Sequence, residues 1–68
     1  MQVEFDGYTV SVSDATNASG ELAWLAVVYK GNEHLQTYTV GETFRQYVPE
    51  KYLSETQRVA LKAIAQCA

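Results

Sequence analysis

One cysteine, Cys67, and one histidine, His34, are the residues of this chain best suited to nucleophilic or acid–base chemistry. A Cys–His pair works only when the thiol is activated, often at a helix N-terminus, and a third group orients the imidazole. Cys67 instead closes a helical pattern, at the end where the helix dipole disfavours a thiolate. It is expected to behave as a small, half-buried hydrophobe. His34 stands beside a Gly-Asn turn and opposite Tyr29, a surface or rim position, with no partner at a recognised metal-ligand spacing. The eight carboxylates form no motif, and the four glycines fall at turns, so no phosphate-cradling loop is spelled. These residues predict no enzyme, no cofactor, no metal and no evident small-molecule site.

A second constellation is binding rather than chemistry. Phe44, Arg45, Tyr47, Lys51 and Tyr52 mix aromatics with cations within nine residues, 44–52. Such a stretch can stack on bases or anchor a protein partner. The plainer reading, preferred here, is that its rings plug one end of a small core. Phe44, Arg45 and Tyr47 nevertheless count as candidate partner contacts.

Charge constrains the partner. Eight acidic and five basic residues give a formal charge of -3. From 1 to 34 the acids Glu4, Asp6, Asp14, Glu21 and Glu33 face Lys30 alone; from 35 onward Arg45, Lys51, Arg58 and Lys62 outnumber Glu42, Glu50 and Glu55. Phosphate binding normally concentrates basic charge, so the balance argues against nucleic acid. An acidic first half is also the composition of a phosphate mimic that occupies another protein's nucleic-acid surface.

The 68 residues fit one domain, 1–68, near the lower size at which a single core suffices. Self-association is a common source of added stability at this size. Met1–Phe5 has neither the basic flank nor the apolar run of a signal peptide, and the longest apolar run, 22–29, is too short to cross a bilayer. Asn17-Ala18-Ser19 spells a glycosylation acceptor, which without a secretion signal is best explained by chance. A cytoplasmic, membrane-free protein is expected, and a lone cysteine allows no internal disulfide.

The elements follow from periodicity. Val3 and Phe5 alternate with Glu4, and Tyr8, Val10 and Val12 alternate with Thr9 and Ser11. The apolar phase shifts across Asp6-Gly7, which a two-residue hairpin turn explains by pairing Phe5 with Tyr8 and Val3 with Val10. Asp14–Gly20 reads as a polar loop. Glu21–Lys30 reads as a strand apolar on both faces, and Gly31-Asn32 turns into a strand at His34–Val40. An unbroken register from that turn pairs Lys30 with Glu33, Val28 with Leu35 and Leu25 with Tyr38. A helix follows, starting at Pro49 or at the capping box Ser54-Glu55-Thr56-Gln57, with Leu53, Ala60, Ile64 and Cys67 on its apolar stripe. The predicted fold is α+β: a meander of about four antiparallel strands (β-β-β-β-α) with one C-terminal amphipathic helix packed on one face.

That arrangement is short of cover. One helix shelters one sheet face, whereas the third strand is apolar on both. In the unbroken register Leu22, Trp24, Ala26, Val28 and Leu35 share a face opposite Leu25, Tyr29, Tyr38 and Val40. Either the first hairpin folds over to curl the sheet, or another chain docks with Trp24 as anchor. The expected function is a non-catalytic protein-binding module that regulates or inhibits a larger partner protein, of the kind common among short acidic phage or mobile-element accessory proteins. Its partner is that larger protein, a second copy of itself, or both. The alternatives are a structural homo-oligomer and a nucleic-acid-binding domain using the sheet or the Arg45, Lys51, Arg58 and Lys62 side. The candidate contact set is Leu22, Trp24, Val28, Leu35, Phe44, Arg45 and Tyr47.

Overall fold

The computed structural model describes residues 1–16, 18–41 and 50–67. Four antiparallel strands, β1 (Gln2–Phe5), β2 (Tyr8–Thr16), β3 (Leu22–Lys30) and β4 (Glu33–Gly41), form one sheet in chain order. A short 3-10 turn at Glu50–Tyr52 precedes a helix, α1 (Glu55–Cys67), which packs on β2, β3 and β4. This is the α+β meander with a single C-terminal helix that the periodicities predict.

The first hairpin forms because Asp6 and Gly7 accept left-handed backbone, with φ of 52° and 81°. Two successive positive φ values make a type I′ turn, whose twist matches the flanking strands. Phe5 therefore pairs with Tyr8 and Val3 with Val10. The Met1 amino group donates to the Val12 carbonyl, and the Val12 N–H donates to the Met1 carbonyl, both at 2.6 Å, adding a rung beyond Gln2.

The turn at Gly31, with φ of 62°, places Lys30 opposite Glu33 and Tyr29 opposite His34. There the unbroken register ends. The next pair is Val28 with Gln36, which leaves Leu35 as an extra residue in β4. Beyond this bulge Val27 pairs with Thr37, Ala26 with Tyr38, Leu25 with Thr39 and Trp24 with Val40. The expected pairs Val28–Leu35 and Leu25–Tyr38 are thus each displaced by one. Because side chains alternate along a strand, the slip moves Tyr38 and Val40 onto the face of Trp24, Ala26 and Val28. The polar 14–20 segment is also a shorter loop than its composition suggests. Asp14, Ala15 and Thr16 extend β2 against Trp24, Ala23 and Leu22, the ladder overriding the low strand propensity of Asp and Ala.

The face gathered by this register is the one α1 covers. Val10, Val12, Ala26 and Val28 meet Val59, Ala60, Ala63 and Ile64 in one buried cluster. Ala60 and Ala63 offer only methyl groups, so the helix can approach the strands closely. Each of Val10, Val12, Val28 and Ile64 is fully buried, a contribution of about 1.5–3 kcal/mol apiece. The helix stripe is rotated slightly from the expected one: Val59 and Ala63 join Ala60 and Ile64, while Leu53 and Cys67 are half-buried.

Of the two possible helix starts, the capping box is the one used. Ser54 N–H donates to Gln57 Oε1 at 2.8 Å, and Gln57 N–H donates to Ser54 Oγ at 3.2 Å, satisfying two backbone donors reciprocally. A phenol then fastens the first turn to the sheet: Tyr38 Oη lies 2.7 Å from Thr56 Oγ1.

The first hairpin does not fold over the second face. β1 lies beside β2 in the same sheet, so it widens the sheet rather than closing it. Among the described residues, α1 is the element that packs across the strands, and it does so from one side.

Candidate functional site

The side of the sheet away from α1 is built from the odd residues of β2 and β3 and their β4 partners. Its central strand contributes Ala23, Leu25, Val27 and Tyr29, the last three half-buried. Hydroxyls flank this apolar stripe. Ser11 and Ser13 pair with Val27 and Leu25 from β2, and Thr37 and Thr39 pair with the same two residues from β4. At one end three larger residues stand in a row across the sheet, Thr9, Tyr29 and His34. At the other end the corresponding row is Ala15, Ala23 and Gly41. The face is thus raised at one end and lowered at the other.

Two hydrogen bonds join polar groups of this face to one another. Thr9 Oγ1 donates to Glu4 Oε1 at 3.5 Å. His34 Nε2 and Thr37 Oγ1 share a hydrogen bond of 2.8 Å, and the His34 ring meets Tyr29 edge-on with centroids 5.5 Å apart. Glu4 is the one carboxylate that the strand pairing puts on this face among the described residues, and Lys and Arg are absent from it.

The residues expected to bind a partner are dispersed. Val28 is fully buried beneath α1, and Trp24 packs half-buried at the rim of the same core. Neither lies on the uncovered side, because the pairing of Val10 with Val28 and Val12 with Ala26 puts the even residues of β3 under α1 and leaves Leu25, Val27 and Tyr29 on the other side. Leu35 also packs toward the core. Leu22 is 82% exposed at the start of β3 and remains an accessible apolar side chain. Phe44, Arg45 and Tyr47 lie outside the described residues.

The alternation in β2, with Tyr8, Val10 and Val12 inward and Thr9, Ser11 and Ser13 outward, was the available signal for which face stays open. It needed one further fact, the pairing of Val10 with Val28 across the 17–21 connection, which local pattern does not supply.

His34 and Cys67 occupy opposite sides of the sheet, His34 beside Tyr29 and Cys67 against the core under α1. The sheet therefore separates the thiol from the imidazole. Among the described residues no cluster of three or more His, Cys, Asp or Glu side chains can hold a metal ion.

A groove of about 810 Å³ runs along the other side, between the first hairpin and α1. Lys30 Nζ sits 5.1 Å from the Tyr8 ring centroid, and Lys62 Nζ 5.1 Å from that of Phe5, both aromatic rings lining the groove. Arg58 adds a third cation, while Asp6 and Glu55 intersperse negative charge. The Tyr8 phenol is pushed above the ordinary tyrosine value by burial, then by its hydrogen bond to Glu55 and the charges of Glu55 and Asp6. It is a poor acid in this setting.

The chain matches no protein-family model, and no curated protein or solved structure is significantly similar to it. No helix among the described residues is long and apolar enough to cross a membrane.

Proposed function

We propose that this chain is a non-catalytic protein-binding module whose docking surface is the open face of the sheet. The observation that carries the reading is the apolar stripe Leu25, Val27 and Tyr29 on the central strand, with no second layer over it among the described elements. A one-sided antiparallel sheet normally turns polar residues outward, and here the hydroxyl rows of β2 and β4 obey that rule while β3 breaks it. An uncovered apolar stripe supports the reading of a protein contact. Nucleic acid fits the face poorly, since its described residues offer Glu4 and no cation to a phosphate backbone. The cations that line the groove on the other side are interleaved with Asp6 and Glu55. Regulation or inhibition of a larger partner, by occupying a surface of that partner, is the mode of action that such a module supports. A cytoplasmic setting belongs to the same proposal, supported by the free thiol of Cys67.

A photo-crosslinking amino acid at position 27, compared with one at exposed Gln66 on α1, tests the reading in the cells that make the protein. Adducts to protein from position 27 and not from 66 support it. Equal labelling from both positions, or none from 27, overturns it.

A further inference from the structure

The open face is complementary to itself. Its large row, Thr9, Tyr29 and His34, and its small row, Ala15, Ala23 and Gly41, lie at opposite ends of the same three strands. A two-fold axis in the plane of the sheet and perpendicular to the strands reverses one copy end for end while keeping β2 over β2, β3 over β3 and β4 over β4. Under that operation every large residue meets a small one: Thr9 over Ala15, Tyr29 over Ala23, His34 over Gly41. In the middle, Leu25 meets Val27, and the Ser11–Ser13 and Thr37–Thr39 pairs bring hydroxyl to hydroxyl. Alternating large and small residues across facing positions is how layers interdigitate without voids.

Resting on the docking reading above, we infer that the occupant of this face is a second copy of the same chain, packed sheet to sheet in this antiparallel two-fold arrangement. Two further arguments point to self-association. Three nine-residue strands about 4.8 Å apart, rising about 3.3 Å per residue, with β1 beside them, present on the order of 500 Å² each, so two copies bury on the order of 1,000 Å². That is the size at which specific interfaces begin. Charge is the second argument. Each copy carries -3, which opposes association through a charged surface. Here the one formal charge among the strand-paired residues of the face is Glu4, level with Tyr29. The two-fold sends the other copy's Glu4 to the level of Ala23, about 20 Å away along the strands and beyond the screening length.

The contact of Leu25 with Val27 yields a test specific to this geometry. Leu25→Lys and Val27→Glu each place two unpaired charges in the homodimer. Sedimentation equilibrium of the full chain from low micromolar to near-millimolar concentration should show a wild-type dimer and, for either variant, association weakened by about a hundredfold or more. Mixing the two variants should restore a heterodimer. In it the introduced lysine of one copy faces the introduced glutamate of the other, and the second contact remains Leu25 against Val27. Trp24 fluorescence, read from the opposite side of the sheet, verifies that each variant is folded. A wild-type chain that stays monomeric throughout overturns the dimer, while the crosslinking result at position 27 still decides the docking reading on its own. A dimer untouched by both substitutions places self-association elsewhere, such as the β4 edge, and also overturns the inference. Two monomeric variants that fail to associate when mixed overturn the antiparallel arrangement.

Discussion

Tyr38 and Thr56, their hydroxyl oxygens 2.7 Å apart, join the edge strand β4 to the first turn of α1. The bond exists because the Leu35 bulge turned Tyr38 toward the helix. Tyr38→Phe keeps the ring and removes the hydroxyl, and is expected to cost about 1 kcal/mol. Urea unfolding with an unchanged m-value and a lowered midpoint is the result to look for.

The capping box makes a second, separable contribution. Ser54→Ala removes the acceptor of the Gln57 N–H and leaves Gln57 Oε1 bonded to the Ser54 backbone. The expected loss is about 1 kcal/mol, or a fall in Tm of about 4–8 °C for a chain of this size. Ser54→Asp should recover most of it, since Asp caps as well as Ser and its charge favours a helix N-terminus.

Ile64 is the largest side chain with no exposure at all. Ile64→Ala should cost about 3 kcal/mol. Small single cores rarely provide more than about 3–5 kcal/mol in total, so circular dichroism of this variant should show a substantially unfolded population at room temperature.

Trp24 and Val27 lie on opposite faces of β3 and should separate folding from association. Trp24→Ala opens the rim of the helix-covered core and is expected to cost about 2 kcal/mol of monomer stability. Val27→Thr keeps the β-branched shape and should cost less than about 1 kcal/mol. Denaturant titration at low protein concentration, where association is absent, gives that ordering or refutes it.

Tyr8 predicts an alkaline limit. Its folded-state pKa is raised above the ordinary value of 10.0, first by burial and then by Glu55 and Asp6. A raised folded pKa means that the native state holds the proton more tightly than the unfolded chain. The contribution is complete below about pH 10 and is lost as pH rises through the higher native value. Wild-type stability should therefore fall more steeply than that of Tyr8→Phe above about pH 10, and the ultraviolet titration of the wild type should show a late-ionising phenol that the variant lacks.

The local structure was largely written in residue patterns. Asp6-Gly7 between two alternating runs specified a type I′ hairpin down to its pairs, and Ser54 with Gln57 specified the helix start. The face assignments were not legible, for a definite reason. Which side of β3 the helix covers depends on how β2 meets β3 across the 17–21 connection. Which residues of β4 accompany that side depends on one unpaired residue. Leu35 carries no mark of a bulge, since neither Gly nor Asn signals it, and a single added residue inverts everything after it. Trp24, the most conspicuous side chain of the strand, lies on the helix-covered face, while the modest row of Leu25 and Val27 between Ser and Thr neighbours lies on the open one.

The surplus Leu35 has an effect beyond side-chain placement. β4 is a nine-residue border strand, and a straight border of that length is a template on which further chains can add hydrogen bond by hydrogen bond. An interruption near its start bends and overtwists the strand, so its outward N–H and C=O groups no longer march in step with those of a flat newcomer. The same residue that seats Tyr38 on the helix thus makes growth into fibres harder, leaving closed pairing as the geometrically easier way for two molecules to meet.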